Sequence, residues 1–473
     1  MARVTPDPTF YATAREATAA PPEKLGYVVT LNPAAATDGA AADGRPDALR
    51  TVDLDPASPS YGQLVGRLEM PNAGDELHHF GWNACSSALC PWAPHPHLER
   101  RYLLVPGLRS SRVHIVDVKG DPHEPKLEKV IEPDELARKT GYSRPHTSHC
   151  GPEGIYMDAL GNPDGDAPGG IFLLDHESLD LKGPWEKDRG PQQLAYDFWW
   201  HLGHNTLISS EWGTPKMVEA GLNPEILLAN GYGHQLHIWD LDARTHKQAI
   251  DLGAEHQITL ELRPSHDPTK AYGFAGVVVS TADLSASVWL WSRAGDGSFD
   301  ARKVISIPAE PAEADELPDA LKPFEAVPPL VTDIDLSVDD RYLYVSCWGT
   351  GELKRYDVSN PTSPVEAGSV RIGGITRRGP HPAAGPVNGG PQMVEVSRDG
   401  RRVYLTNSLY ASWDAQFYPE GIDGWLVKLD SDPGGEFRLD PDFFVGFPDG
   451  ERPHQVRLEG GDASSDSYCF PNA

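Results

Sequence analysis

Short runs of apolar residues recur along the chain, each rich in β-branched or aromatic side chains and each ending at an acidic or polar residue. Seven such runs occur, and their last residues lie 52 to 73 residues apart. Runs of this length and composition are typical of β-strands rather than helices. The seven runs are 49–53, 113–117, 171–175, 236–240, 288–292, 353–357 and 425–430.

A second strand is predicted shortly before most of these runs. Two of the resulting hairpins begin with the same turn, Ser-x-Asp-Asp/Gly-Arg, at 337–341 and 397–401, and Asp and Gly accept the backbone geometry of a tight turn. Strand pairs at this spacing favour an all-β fold, a seven-bladed β-propeller with long inter-strand loops, over a sandwich or another β fold with coincidental strands. The preceding strands are 102–105, 206–209, 342–346 and 403–407.

The strand pattern predicts an N-terminal extension over 1–25 and a single propeller domain over 26–473. Short helices are predicted only over 133–140 and 215–222, because the 44 prolines and 46 glycines interrupt most other candidate segments. The segment 308–327 is rich in Pro, Ala and Glu. It is predicted to form an exposed loop between the fifth and sixth blades.

Composition indicates a globular chain with a strongly negative charge. Hydrophobic residues make up 39%, and no apolar run reaches the roughly 18 residues that a membrane span needs. The 41 basic and 69 acidic residues give a formal net charge of −28, which repels nucleic acids and anionic membranes. No apolar stretch follows Arg3, so the pattern of a secretory signal is missing. We therefore expect a cytoplasmic protein with no nucleic-acid partner and no membrane span, or a periplasmic one if a leader has been removed.

The five cysteines form no Cys-x-x-Cys pair. This spacing predicts neither a disulfide framework nor a structural zinc module. An odd number of cysteines, without a secretory signal, is typical of a reducing compartment.

Several of the 18 histidines cluster in segments that precede a predicted strand. In a propeller, such segments of different blades can converge near the central axis. Imidazole nitrogen binds copper, zinc, iron and nickel, so three or four histidines from different blades would form a site for any of these metals. The thiol of Cys150 would favour copper or zinc if it points inward. The candidate ligands are His78, His79, His146, His149, His204 and His454.

The histidine clusters lie in motifs that resemble a known family. Residues 75–79 read Asp-Glu-Leu-His-His, residues 81–87 read Gly-Trp-Asn-Ala-Cys-Ser-Ser, and residues 146–150 read His-Thr-Ser-His-Cys. These motifs resemble the selenium-binding protein family, whose characterised members include methanethiol oxidases. The resemblance extends from about residue 26 to residue 466. Further matching segments are 196–199, 204–205, 210–212, 332–334, 389–393, 408–410, 413–414, 416–419 and 460–462.

The resemblance implies a copper-dependent oxidation of methanethiol by oxygen and water to formaldehyde, hydrogen sulfide and hydrogen peroxide. It implies that the six candidate histidines include the copper ligands, without deciding which of them share the ion. Cys85 and Cys150 are the matching thiols, and Cys150 is expected at the catalytic site. Glu211 or Asp333 is expected to move the protons of the reaction.

The chain departs from the family at two cysteine positions. Gly62 stands where vertebrate members have a cysteine associated with selenium, and Ala463 stands where relatives carry another cysteine. Selenium binding through the first of these thiols is therefore not expected in this chain.

Two other functions compete with the oxidase. A non-enzymatic propeller could bind selenium or metal and act through a partner, and it would then bind metal without consuming oxygen. A hydrolase or lactonase of the propeller type would need carboxylate and asparagine ligands for a hard cation such as calcium. The histidine clusters argue against the second of these alternatives.

Overall fold

The computed structural model of the protein describes residues 4–33, 44–432 and 434–471. These residues include seven antiparallel sheets of four strands each, and each of the seven recurrent runs forms an interior strand of a different sheet. The all-β prediction is confirmed. The two Ser-x-Asp turns join paired strands, and Asp340 and Gly400 have φ of 59° and 70°. The predicted turn geometry is therefore present in both hairpins.

The first four sheets to appear in the chain account for its N-terminal half. The first sheet takes three consecutive strands from this half and its fourth strand from the end of the chain. Each of the next three sheets has four consecutive strands. The first sheet has β1 (Leu25–Leu31), β2 (Ala48–Asp53) and β3 (Leu64–Glu69), and the second has β4 (Gly81–Trp82), β5 (Tyr102–Gly107), β6 (Arg112–Asp117) and β7 (Lys126–Ile131). The third has β8 (Ser143–Cys150), β9 (Ile155–Gly161), β10 (Gly170–Leu174) and β11 (Leu181–Pro184), and the fourth has β12 (Phe198–His201), β13 (Thr206–Ser209), β14 (Gln235–Asp240) and β15 (Thr245–Asp251).

The C-terminal half adds three four-stranded sheets, two short pairings and one last strand. The fifth sheet has β16 (His256–Pro264), β17 (Tyr272–Ser280), β18 (Ala286–Arg293) and β19 (Phe299–Ile307), followed by the pair β20 (Glu310–Pro311) and β21 (Ala326–Val327). The sixth has β22 (Val331–Leu336), β23 (Tyr342–Cys347), β24 (Glu352–Asp357) and β25 (Val365–Arg371), followed by the short strands β26 (Gly373–Gly374), β27 (Arg377–His381) and β28 (Gly385–Val387). The seventh has β29 (Val394–Val396), β30 (Arg402–Thr406), β31 (Trp425–Ser431) and β32 (Phe437–Gly446), and the last strand is β33 (Arg452–Leu458).

The last strand completes the first sheet, because β33 pairs antiparallel with β1. Val28 lies opposite Val456 in this pairing, and neither side chain is exposed to solvent. Both pack with Leu458 in a core cluster that also contains Leu426 of the seventh sheet. The two ends of the chain are thereby joined within one sheet, as in a β-propeller.

Helices are few and short. The helix predicted over 133–140 is confirmed, with Pro133 at its first turn and Gly141 in the left-handed conformation (φ 77°) at its end. The helix predicted over 215–222 is shorter than expected and ends at Val218, three residues before Gly221 with φ 105°. The helices are α1 (Ala14–Ala17), α2 (Pro133–Thr140), α3 (Pro215–Val218), α4 (Pro224–Leu228) and α5 (Ala411–Phe417), with 3-10 turns at Ser86–Leu89, Leu202–His204, Ala314–Glu316, Lys322–Phe324 and Pro448–Gly450.

The segment 308–327 does not form the exposed loop that its composition predicts. It contains β20 and β21, and Leu317, Leu321 and Val327 are buried against a cluster that includes Trp348. The three apolar side chains explain the difference, because they pack against the core. They are too few to change the composition of a segment that is otherwise rich in Pro, Ala and Glu.

Cys90 and Cys469 form a disulfide, which the cysteine spacing and the expected reducing compartment did not predict. They are separated by 379 residues, so no local spacing could have indicated the bond. Cys85, Cys150 and Cys347 are free and buried.

The predicted N-terminal extension packs on the sheets where it is described, while residues 1–3 lie outside the described residues. Ala14 and Ala17 are buried in a cluster with Val396, and the Arg398 guanidinium donates a hydrogen bond to the Thr9 carbonyl oxygen. The division of the chain at residue 25 stays a prediction. Among the described residues, no helix combines the length and apolar character that crossing a bilayer requires.

We expect Leu458→Ala to lower the free energy of unfolding by about 2–5 kcal/mol, because it leaves a cavity at the pairing of β33 with β1. Leu228→Ala is the matched control, since Leu228 is 62% exposed and its loss should cost under about 0.5 kcal/mol. Denaturant unfolding of both variants measures the difference. Equal costs would contradict a central role of this pairing in stability.

Candidate metal centre

Four of the six candidate histidines meet in the interior. His78 and His79 lie between β3 and β4, His146 lies in β8, and His454 lies in β33. The ring centroids are 3.5 Å apart for His78 and His454, 5.1 Å for His78 and His79, and 4.1 Å for His79 and His146. All four side chains are buried. Ligand atoms of His78, His79 and His454 lie within 4.8 Å of one another.

The segment that carries His78 and His79 is held by buried polar contacts on both sides of the histidines. Glu76 has φ of 54°, and its carboxylate accepts a hydrogen bond of 2.6 Å from the Ala411 backbone N–H. The Leu77 N–H donates to the Asp47 carboxylate at 3.0 Å. The Phe80 N–H donates to the Gln455 side-chain oxygen at 2.7 Å, which ties this segment to β33. These contacts place His78 and His79 beside His454.

Three of the four imidazoles are held in a defined orientation by backbone carbonyls. His78 Nε2 contacts the Leu409 carbonyl oxygen at 3.0 Å, and His454 Nδ1 contacts the Ser408 carbonyl oxygen at 2.8 Å. His146 Nδ1 contacts the Tyr196 carbonyl oxygen at 3.1 Å. A carbonyl oxygen can only accept, so each of these nitrogens carries the proton.

The other nitrogen of each ring therefore presents a lone pair. His78 Nδ1, His146 Nε2 and His454 Nε2 are buried and have no hydrogen-bond partner. Buried polar atoms are nearly always satisfied, and a ligating histidine commonly donates its second nitrogen to a carbonyl. Three such atoms in one group are the arrangement that a bound metal ion would satisfy.

Burial also keeps these rings neutral. It lowers the pKa of His454 to about 3, and burial together with the nearby His454 lowers the pKa of His146 to about 3. Burial, then the neighbouring histidines, lower the pKa values of His78 and His79 well below their usual range. A neutral imidazole is the form that binds metal, so the histidines are ready to ligate across the physiological pH range.

A carboxylate lies closer to His79 than to the other three histidines, where the shortest such distance is 3.9 Å, between His146 Nδ1 and Asp158. His79 Nε2 lies 3.5 Å from the Glu261 carboxylate and 3.5 Å from the Tyr196 hydroxyl, and that hydroxyl donates to Glu261 at 2.9 Å. Burial raises the pKa of Glu261 to about 7. Glu261 can therefore hold or release a proton near neutral pH within reach of His79.

Two predicted ligands lie outside this group. The His149 ring packs at 4.2 Å from the Trp199 ring, and its Nε2 lies 3.6 Å from the Asp197 carboxylate. His204 is half-buried in a 3-10 turn, where its ring stacks on His201 at 4.3 Å. The structure brings neither of them to the other four histidines.

The predicted catalytic residues have other partners. The Glu211 carboxylate contacts His237 Nε2 at 2.9 Å. The Asp333 carboxylate accepts from Arg263 at 3.2 Å and from the Val394 N–H at 2.7 Å. The structure pairs Cys150 with Cys85 rather than with a histidine.

Glu261 and Tyr196 were not singled out as site residues from the sequence. A signal was present in the strand Leu260-Glu261-Leu262-Arg263, because two charged residues alternate there with core leucines. In the structure the Arg263 guanidinium contacts Glu261, Asp333 and Asp335 at 3.0 to 3.4 Å. A single buried cation thus balances several carboxylates beside the histidines, as buried charges require.

A small apolar cavity is linked to the histidines through Leu409, although none of the four histidines lines it. It has a volume of about 10 Å³, and its lining includes Trp212, Trp348, Trp413 and Leu409. The Leu409 carbonyl oxygen is the partner of His78. A wider cavity of about 600 Å³ is lined by residues of the N-terminal segment and by Arg398 and Arg402, and none of the four histidines lines it.

Comparison with known proteins agrees with the motifs around the histidines. The model of the 56 kDa selenium-binding protein family matches residues 4–469. The chain belongs to this family. One member, a protein of Xenopus laevis named methanethiol oxidase, is 41% identical over 90% of this chain and 92% of its own length. Another, selenium-binding protein 2 of Arabidopsis thaliana, is 39% identical over 97% of this chain and 95% of its own length.

A solved structure within the family has the same fold. The X-ray structure of a hypothetical selenium-binding protein from Sulfolobus tokodaii superposes with a TM-score of 0.94 and 55% identity, and it covers 98% of this chain and 100% of its own. The family assignment follows from these relatives, and the pairing of β33 with β1 agrees with a β-propeller.

The donor set fits a metal of intermediate or soft character. Imidazole nitrogens suit copper, zinc, iron and nickel, whereas magnesium and calcium select oxygen ligands. His78, His79 and His454 would hold the ion, and His146 is placed to join them. The identity of the metal is not fixed by these ligands.

Loss of a residue that only orients a metal ligand lowers metal affinity by roughly 10- to 100-fold. We expect His454→Gln to lower it by more than that. The reason is that Nε2 of His454 is one of the unpartnered ligand atoms. His204→Gln is the matched control and should bind metal as the wild type does. Titration calorimetry with copper and with zinc measures both affinities, and an equal loss in the two variants would contradict this ligand set.

Stability of the metal-free protein should depend on pH through the buried histidines. Below pH 6.5 the unfolded chain protonates His454, while the folded protein does so only near its pKa of about 3. Stability is therefore lost as the pH falls below 6.5, by about 1.4 kcal/mol per pH unit for one histidine. Denaturant unfolding between pH 6 and 4 should show a shallower slope for His454→Gln than for the wild type by this amount. Equal slopes would contradict the shift.

Proposed function

We propose that this protein is a copper-dependent methanethiol oxidase. The reaction converts methanethiol, oxygen and water into formaldehyde, hydrogen sulfide and hydrogen peroxide. The observation that carries the proposal is the buried group of His78, His79 and His454, in which His78 Nδ1 and His454 Nε2 have no hydrogen-bond partner. The methanethiol oxidase name of the Xenopus relative supports the choice of substrate.

The histidines would bind copper as neutral ligands. Bound copper would supply one-electron redox chemistry, which zinc does not, and a soft site for a thiolate sulfur. The Ser408 and Leu409 carbonyls orient the rings of His454 and His78 and leave the second nitrogen of each ring without a hydrogen-bond partner. Complete burial of the rings keeps bulk water away from these nitrogens.

A narrow apolar cavity near the site supports a small substrate. Trp212, Trp348 and Trp413 line it together with aliphatic side chains, and its volume of about 10 Å³ is roughly the space of one water molecule. Methanethiol would enter it only if these side chains moved apart, and its methyl group would then be buried at a gain of about 25 cal/mol per Å² of apolar surface.

Glu261 is the residue best placed to move protons, and we propose it in the role first expected of Glu211 or Asp333. Its pKa of about 7 lies where a general base works best at neutral pH. The Tyr196 hydroxyl orients the Glu261 carboxylate, which lies 3.5 Å from Nε2 of His79, a residue of the candidate metal group. The substrate proton would pass to Glu261 on the side of His79.

We also propose that the seven four-stranded sheets form the seven blades of one ring. The pairing of β33 with β1 supports this, because it completes the first sheet from the last segment of the chain. Histidines from three sheet regions can then meet at the axis.

The test loads purified protein with copper, and in parallel with zinc, and supplies methanethiol while oxygen, sulfide and peroxide are measured. We expect one oxygen consumed for each sulfide and peroxide formed with copper, and no turnover with zinc. Copper-loaded His204→Gln should remain active, and His454→Gln should not. A copper-replete wild type that consumes no methanethiol would overturn the proposal.

A metal- or selenium-binding protein without catalysis is the second candidate, and the Arabidopsis relative, selenium-binding protein 2, favours it. The same assay separates the two functions. Copper binding that depends on His454, without oxygen uptake, would support the binding protein and reject the oxidase.

A further inference from the structure

Two of the free cysteines form a close pair in the interior. The Sγ atoms of Cys85 and Cys150 lie 2.6 Å apart, although the residues are 65 positions apart in the sequence. A covalent S–S bond is about 2.05 Å long, so only a small movement would join the two sulfurs. Cys347 is also free and buried, but its nearest polar contact is the Val345 carbonyl oxygen at 4.0 Å.

The pair is brought together by the packing of β4 against β8. A Cβ atom on Gly81 would lie 2.3 Å from the Ser148 carbonyl oxygen, so only glycine permits this approach. The chain that follows Gly81 then carries Cys85 to Cys150 at the end of β8. The contact is therefore fixed by backbone packing and does not depend on a flexible loop.

The surroundings of the two sulfurs are unequal. The Ser87 hydroxyl lies 2.9 Å from the Cys85 sulfur and 3.5 Å from the Cys150 sulfur, and the Cys150 thiol donates to Cys85. Burial raises the pKa of Cys85, but the hydrogen bonds from Cys150 and Ser87 outweigh it and lower that pKa overall. Burial, with the neighbouring Cys85, raises the pKa of Cys150 well above its usual range. One sulfur is thus suited to attack and the other to resolve.

We propose that Cys85 and Cys150 are a redox-active dithiol that hydrogen peroxide oxidises to an intramolecular disulfide. The Cys85 sulfur attacks one peroxide oxygen, an S–O bond forms, the O–O bond breaks, and water leaves. The Cys150 sulfur then attacks the Cys85 sulfur, the S–S bond forms, the S–O bond breaks, and a second water leaves. Two thiols lose two electrons and two protons in total, and one peroxide is reduced to two waters.

The oxidant must be small because both sulfurs are almost completely buried. Cys85 and Cys150 are 2% and 3% exposed, so a bulky disulfide such as oxidised glutathione cannot reach them without opening the fold. Hydrogen peroxide is about as large as two water molecules and needs a much smaller opening. The oxidase reaction proposed above would release peroxide within the same protein, but the dithiol does not depend on that reaction.

The test treats full-length protein with added hydrogen peroxide, alkylates the remaining thiols after denaturation, and maps the peptides by mass spectrometry. We expect a Cys85–Cys150 cross-linked peptide that has lost two hydrogen atoms, and we expect dithiothreitol to restore both thiols. Cys347 should stay alkylated throughout. Because peroxide is supplied as a reagent, this result is independent of methanethiol oxidation.

Variants sharpen the assignment of roles. Cys150→Ser should lose the cross-link and leave a sulfenic acid on Cys85 that dimedone captures, whereas Cys347→Ser should behave as the wild type does. Wild-type protein that keeps both thiols under peroxide, or that oxidises Cys347 as readily, would overturn the proposal. So would loss of bound metal in the double variant Cys85→Ser/Cys150→Ser, because the thiols would then be metal ligands.

Discussion

The antiparallel pairing of β33 with β1 joins the last part of the chain to the first, and it fixes where His454 stands. Val28 and Val456 meet there without exposure to solvent. Gln455, the neighbour of His454, accepts the Phe80 N–H and so holds the segment that carries His78 and His79. The closure of the fold and the arrangement of the candidate metal centre therefore depend on the same strand pairing. A chain that failed to close would leave the histidines in separate sheets.

Burial sets the chemistry of the interior. The imidazoles have lost water on all sides, so each is neutral, and each of three uses one nitrogen to satisfy a carbonyl oxygen. The charges beside them cannot stay unpaired either, and the Arg263 guanidinium stands among carboxylates that include Glu261. Burial outweighs the opposing effect of Arg263 and raises the pKa of Glu261 to about 7. The same holds for the buried thiols, because Cys85 contacts Cys150 and Ser87 and neither sulfur contacts bulk solvent.

Sequence reasoning located the histidine clusters but could not sort their members. His78, His79, His146 and His454 meet, whereas His149 and His204 sit in equally promising motifs and turn to Trp199 and to His201. The direction of a side chain at a strand end depends on local register shifts, and β8 has one between Pro145 and Ser148. Contacts across hundreds of residues, such as the disulfide between Cys90 and Cys469, leave no local trace at all.

The sequence by itself determined the recurrent strands, because short runs of β-branched and aromatic residues favour a buried β-strand over a helix. It also determined the turns at Asp340 and Gly400, whose residue types accept positive φ, and the family, whose motifs surround the histidines. The tertiary structure decided which side chains share a site. Glu261 and Tyr196 acquired their place beside His79 only through packing between sheets. Which residues share a metal, and the pKa values of buried groups, depend on the side chains that surround them. Those side chains come from distant parts of the sequence, and only the folded chain brings them together.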